Sequence, residues 1–263
     1  MHKHEAMAGT ETQPDGPQVR VCNDVAALIE EAAKRVIAAS KQAIAERSRF
    51  AVALAGGSTP KPLYELLATI PCREQVEWFR THIFWGDERL VPPDDPRSNF
   101  RMAREALLDH VPIPAGNVHR VCTESGNPEQ VAAAYEATIR QVLDSTGNTV
   151  PALDVCLLGL GENGHTASLF PGSPVLHESS RLVASEYVAE VAMWRVTMTF
   201  LLINQSRLIM FLVAGAGKAP VLRKVLAADP KTLLPAQLVK PVDGTLLWLV
   251  DRAAMGEESA GSR

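Results

Sequence analysis

Three short apolar runs set the terms for this chain: residues 50–55, 153–160 and 208–214. Each is long enough for a strand but not for a helix, and each leads into glycine. A strand that is apolar on consecutive positions must be covered on both faces, as in a parallel sheet between helix layers. Segments with helical period lie between the runs. Val25, Leu28, Ile29, Ala32, Val36 and Ile37 mark the inner face of a helix opened by Asp24 and running to about Arg47. Thr59 and Pro60 read as the cap and first residue of a second helix over 61–70. Ser98 caps a third over 99–109, and Asn127-Pro128-Glu129-Gln130 opens a fourth that reaches about Leu143. Residues 19–22, 82–85, 181–188, 195–201 and 246–250 supply further short strands.

Strand and helix alternate with no internal repeat and no Gly/Ser linker. The expectation is one α/β domain over residues 19–256, doubly wound around a mostly parallel, Rossmann-like sheet. Residues 1–18 and 257–263 lack apolar period and read as disordered tails. The formal net charge of −4 gives no electrostatic case for nucleic acid. The longest apolar run, 208–216, is too short for a bilayer, and no apolar segment near the start resembles a signal peptide. Cys22, Cys72, Cys122 and Cys156 are scattered, which fits free thiols in a reducing, cytoplasmic setting. No cluster of His and Cys suggests a metal, although His2 and His4 could bind one adventitiously. Nothing argues for a particular oligomer.

In doubly wound sheets ligands sit at the carboxyl ends of the strands. Four such ends carry chemistry here. Gly56-Gly57-Ser58-Thr59 presents backbone N–H groups and hydroxyls at a helix start, a geometry that suits phosphate or an ordinary capped turn. Asp87-Glu88-Arg89 follows the strand ending at Trp85; it can orient a base and clamp a phosphate, or form a solvated ion-paired loop. Gly159, Gly161 and Gly164 deliver His165, the side chain most easily poised as a general base. Gly215-Ala216-Gly217-Lys218 adds a cation that is either a phosphate partner or a surface lysine. The three glycines before His165 also spell G-x-G-x-x-G, the dinucleotide fingerprint. That reading needs a helix where Pro171 and Pro174 stand, and its acidic residue would be Glu178, inside a polar HESS segment.

Taken together, GGSTP, FWGDERLVPPDDPRSNFRMAREALL, LLGLGENGHTASLFPGSP and RVTMTFLLINQSRLIMFLVAGAGKAPVL resemble the 6-phosphogluconolactonase family, in the same order and across nearly all of residues 19–250. The resemblance implies a fold of the glucosamine-6-phosphate deaminase, ribose-5-phosphate isomerase and CoA transferase type. It implies hydrolysis of 6-phospho-D-glucono-1,5-lactone to 6-phosphogluconate in the oxidative pentose phosphate pathway, with no metal or organic cofactor. Gly57, Ser58 and Thr59 would hold the phosphate, with Arg89 and Lys218 adding charge and Arg195 lining the same pocket. His165 matches the family's catalytic histidine, with Asp87 orienting it or the substrate. N–H groups from Gly161 to Gly164 would steady the oxyanion. The family usually has aspartate before the Gly-His pair, where this chain has Asn163. If that aspartate only braces the loop, the amide serves; if it raises the basicity of His165, the pH profile moves. A deaminase or isomerase of the same fold would want carboxylates at Asn163 and within Ser168 to Pro171, which are missing. A non-catalytic sugar-phosphate sensor would keep Ser58, Thr59, Arg89 and Lys218, but would have no need of His165. Arg97 and Asn99 have no assigned role at this stage.

Overall fold

A computed structural model describes residues 18–144, 149–227 and 233–257. Of the expected tails at 1–18 and 257–263, residues 1–17 and 258–263 lie outside the described residues, as do parts of the loops expected at 145–150 and 230–240, while Gln18 already belongs to the first strand. From the N-terminus the elements are β1 (Gln18–Cys22), α1 (Val25–Arg47), β2 (Phe50–Leu54), α2 (Lys61–Ala68), β3 (Thr81–Trp85) and β4 (Asp87–Arg89). Next come α3 (Asn99–Ala106), α4 (Pro128–Val142), β5 (Val155–Gly159), β6 (Val183–Val188), β7 (Met193–Met198) and α5 (Phe200–Ile203). The chain closes with β8 (Leu208–Val213), α6 (Ala219–Leu226), β9 (Thr245–Asp251) and α7 (Arg252–Met255).

Six strands form one parallel sheet in the order β1-β9-β8-β5-β2-β3. The chain runs outward from β2 to β3 at one edge, then returns to lay β5 on the other side of β2. The strand order therefore reverses between β2 and β5. Alternate residues of each strand enter two separate cores, as the unbroken apolar runs require. Val52, Leu54, Leu157, Met210 and Leu249 pack with Leu28, Val36, Leu63 and Ala103 from α1, α2 and α3. Ala53, Cys156, Leu158, Phe211 and Trp248 pack with Tyr135, Ile139, Val221 and Val225 from α4 and α6.

Helix starts follow the capping residues. Asp24 accepts from the N–H of Ala27 at 2.8 Å, Ser98 from Arg101 at 3.1 Å and Asn127 from Gln130 at 3.0 Å. Thr59 makes no such bond: Pro60 occupies the cap of α2, with no side-chain hydrogen bond, and the helix stops at Ala68. Val25 is 41% exposed, so the inner face of α1 begins at Leu28.

Two expectations are corrected. Asp87-Glu88-Arg89 is no solvated loop; it is an antiparallel strand in a second, three-stranded sheet ordered β4-β7-β6. The strand expected over 195–201 starts at Met193, two residues before Arg195, and is over by Met198. The N–H groups of Leu202 and Ile203 turn back onto the Thr199 carbonyl, which makes residues 200–203 helical. No helix among the described residues is long and apolar enough to cross a membrane.

Candidate active site

Ligands in open α/β sheets bind where the strand order reverses, outside the carboxyl ends. The ends of β2 and β5 flank such a crevice here, a cleft of about 640 Å³. Gly57, Ser58, Thr59, Asp87, Arg89, Asn163, His165, Arg195 and Lys218 all line it. Gly164 does not; it is buried within the loop.

After β2 the chain must turn sharply to start α2. Gly57 takes a left-handed φ of +99°, and a Cβ on Gly56 would lie 2.0 Å from Asn99 Oδ1. The Tyr64 hydroxyl clamps the strand end, accepting from Ala55 N at 2.9 Å and donating to Ala55 O at 2.7 Å. The N–H groups of Gly57, Ser58 and Thr59 make no backbone hydrogen bond to another described residue. They are open donors beside a helix start.

β4 supplies the carboxylates. Glu88 is buried and closes the N-terminus of α3, accepting from Asn99 N (2.8 Å), Phe100 N (2.7 Å) and Ser98 Oγ (3.1 Å). Burial nevertheless holds its carboxyl above the usual range. Asp87, also buried, accepts from Ser168 Oγ at 2.6 Å and Asn99 Nδ2 at 3.3 Å, and lies 3.8 Å from Arg195 Nη1. Its side-chain partners are thus Ser168, Asn99 and Arg195, while His165 is oriented by Asn163.

Arg89 and Arg195 face each other on the β4–β7 ladder. Each has a buried Nε with no hydrogen-bond partner. Arg89 donates instead through Nη1 to the carbonyl of Arg97 at 2.5 Å, and Arg97 pairs its own guanidinium with Asp95. Burial pulls the Arg195 guanidinium below its ordinary value; the nearby Asp87 opposes that pull and Arg89 adds to it. Two desolvated guanidinium donors without acceptors are a cost that the fold carries at this cleft. Lys218 follows β8 on a turn begun by Gly215 (φ +93°) and has no ion-pair partner among the described residues.

The histidine loop is wound tightly on itself. Gly161 N donates to His165 O at 2.8 Å, and Gly164 N to Gly161 O at 2.9 Å. These two N–H groups are therefore not free to hold an oxyanion, contrary to expectation. A Cβ on Gly161 would stand 2.1 Å from the His165 ring. The ring stacks on Phe170 with centroids 4.2 Å apart. Its Nδ1 lies 2.6 Å from Asn163 Oδ1, and the His165 backbone N–H donates to the same oxygen at 3.2 Å. An amide oxygen only accepts, so Nδ1 carries the proton and Nε2 is left with its lone pair. Burial lowers the ring's pKa; Asp87 and Glu190 push the other way, while Arg195 and Lys218 reinforce the fall. At neutral pH the imidazole is uncharged.

No helix begins at the glycines of this loop; the first helical turn after them is the short one at Pro174–His177. Glu178 spends its carboxylate on Ser180 and Arg181. The dinucleotide reading fails on both counts. Asn99, whose role the sequence left open, belongs to the site through Asp87, as do Ser168 and Phe170, which the sequence did not single out. Asn99 had one local signal, its place right after a capping serine, whereas the contact of Ser168 with Asp87 joins residues far apart in the chain. Among the described residues no three His, Cys, Asp or Glu side chains converge as a metal site would need.

Comparison with known proteins points the same way. The family model for glucosamine-6-phosphate isomerases/6-phosphogluconolactonase matches residues 23–248. A Synechocystis sp. protein named 6-phosphogluconolactonase is 45% identical over 240 residues, covering 90% of this chain and 97% of its own. A Nostoc sp. protein of the same name is 43% identical over 242 residues, covering 92% and 98%. Among solved structures, a 6-phosphogluconolactonase from Trypanosoma cruzi superposes with a TM-score of 0.83 at 31% identity, covering 94% of this chain and 98% of that one.

Proposed function

The chain belongs to the glucosamine-6-phosphate isomerase/6-phosphogluconolactonase family, and from that premise we propose how its cleft works as a lactonase. It hydrolyses 6-phospho-D-glucono-1,5-lactone to 6-phospho-D-gluconate, a step of the oxidative pentose phosphate pathway. The substrate phosphate sits on the open N–H groups and hydroxyls of Gly57, Ser58 and Thr59, with Arg89, Arg195 and Lys218 supplying positive charge. Anchoring a remote group places the lactone carbon at the base and so removes entropy from the barrier.

His165 Nε2 takes a proton from a water as its oxygen bonds to C1. The tetrahedral intermediate collapses with cleavage of the bond between C1 and the ring oxygen. The imidazolium returns its proton to that oxygen, giving a carboxylic acid and a hydroxyl; the acid then loses its proton to solvent and the product leaves as the carboxylate. Asn163 fixes the tautomer that makes Nε2 the base, and Asp87 holds Asn99, Ser168 and Arg195 in place around it. The observation that carries this reading is a histidine whose Nδ1 is already engaged by Asn163 Oδ1, in a cleft shared with two arginines whose buried Nε–H groups lack acceptors. The four cysteines are free thiols, which supports a reducing, cytoplasmic setting.

The test is release of 6-phosphogluconate from freshly made lactone, coupled to its dehydrogenase and read against a no-enzyme blank, because the lactone opens spontaneously. Turnover above the blank that His165→Ala abolishes is the expected result. Turnover unaffected by His165→Ala would remove the histidine from the mechanism.

A further inference from the structure

The amide of Asn163 has two edges, and both are engaged. Oδ1 faces His165, accepting from the ring and from the backbone N–H. Nδ2 faces Glu190 Oε2 at 3.5 Å. Glu190 stands in the turn between β6 and β7, closed by Ala192 at φ 47°, and like its neighbour Val191 it lines the cleft. We infer that Glu190 is a positioning residue: its carboxylate holds the Nδ2 edge of Asn163 outward, so that Oδ1 keeps His165 in its Nδ1–H tautomer. The inference rests on the lactonase reading above.

The reason lies in what an amide can do that a carboxylate cannot. A half-turn of the Asn163 side-chain amide exchanges its oxygen and nitrogen at almost no steric cost. In the turned state Nδ2 would confront the His165 backbone N–H, donor against donor. It would also require Nδ1 as acceptor, moving the ring proton to Nε2 and leaving no base toward the cleft. Glu190 selects against that state, because a carboxylate only accepts and Oδ1 pointed at it would be repelled. At 3.5 Å on an exposed turn the bond is long and its energy modest. It acts, however, on a balance between two orientations, where a small difference moves the populations.

The charged groups facing His165 come from four places: Asp87 on β4, Arg195 on β7, Lys218 after β8 and Glu190 on the hairpin. An aspartate at position 163 would have no donor edge for Glu190 and would set two carboxylates against each other. Asn163 and Glu190 therefore work as a unit, an amide next to the histidine with the negative charge one residue further out.

The test is a double-mutant cycle on the full chain, with steady-state lactone hydrolysis as the readout. Glu190→Ala should lower kcat about fivefold with KM unchanged, as loss of one hydrogen bond predicts. Glu190→Gln, which keeps an acceptor, should retain most of the native kcat. In the Asn163→Asp background Glu190→Ala should raise kcat or leave it alone, since it relieves a repulsion. Equal losses in the two backgrounds, or no loss in the native one, would overturn the inference. A second measurement is independent of turnover: ¹⁵N shifts of the His165 ring should report the Nδ1–H tautomer in the native protein and a mixture in Glu190→Ala. An unchanged tautomer would overturn the role of Glu190 even if the lactonase reading stood. A shifted tautomer in a protein without turnover would uphold that role while the lactonase reading failed. Should Asn163→Asp not fold, the ring measurement decides alone.

Discussion

Arg89 and Arg195 stand directly opposite each other on adjacent antiparallel strands, both with a buried Nε and no partner for it. Like charges across a ladder destabilise a sheet, and under the proposed function the substrate phosphate offsets that cost. Arg89→Gln should raise KM by about 10- to 100-fold, the scale of one charge-assisted hydrogen bond, with a smaller effect on kcat. The melting temperature of the unliganded protein should hold or rise in the same variant. A fall in unliganded stability with unchanged KM would mean that the pair is structural.

His165 is neutral at pH 7 because burial outweighs the nearby carboxylates. The acid limb of kcat/KM should therefore have its inflection below 6.5, the value of a free imidazole, with activity lost as pH falls through it. His165→Ala should lower kcat by about 100- to 10,000-fold, the usual range for a general base. A kcat/KM profile whose acid limb does not follow the ionisation of the His165 ring, read by its ¹⁵N shifts, would exclude the histidine as base.

Gly161 is required by the ring beside it. Gly161→Ala places a methyl 2.1 Å from the imidazole, so the ring must leave its stack on Phe170 and its bond to Asn163. We expect kcat to drop about 100-fold, the cost of a displaced reacting group. Binding of 6-phosphogluconate, which depends on the other side of the cleft, should weaken far less. Calorimetric titration of the product separates the two effects.

A pair of histidines lies at the sheet edge, away from the cleft. His82 Nδ1 and His119 Nε2 are 3.0 Å apart with their rings stacked, so one must donate and the other accept. Burial first, and then His82, pushes the His119 pKa down to about 4. A histidine whose folded pKa is depressed adds stability above its unfolded pKa, and that stability is lost as pH falls. Between about pH 6.5 and 4 the fold should lose about 1–2 kcal/mol from this group, after allowance for its partial exposure. Denaturant titrations of His119→Phe should show a shallower decline over that interval.

What could be read from the chain was what is local. The run of 50–55, the glycines after it and the proline before α2 lie within a dozen residues, and together they dictate a strand, a turn and open N–H groups. The same holds for the glycines that deliver His165. Asp87-Glu88-Arg89 resembles a polar loop because a three-residue strand has no period of its own; its pairing partner, β7, is far along the chain. The engagement of the Gly161 and Gly164 N–H groups was equally invisible, since it follows from a loop closing on itself. Asn163 stood out as a departure, but its meaning depends on Glu190, which only the β6–β7 turn brings near.

The reversal of strand order between β2 and β5 also bears on how the protein comes together. Val52 pairs with Val155 and Ala53 with Cys156, and β3, β4, α3 and α4 all lie in the loop between them. Closing so long a loop costs chain entropy before any pairing compensates, which makes this contact slow to form. A chain emerging from the ribosome presents the Gly57–Thr59 turn well before His165 has been synthesised. The capacity to hold a sugar phosphate is thus a late event in folding, and appearance of that capacity during refolding times the joining of the two halves of the sheet.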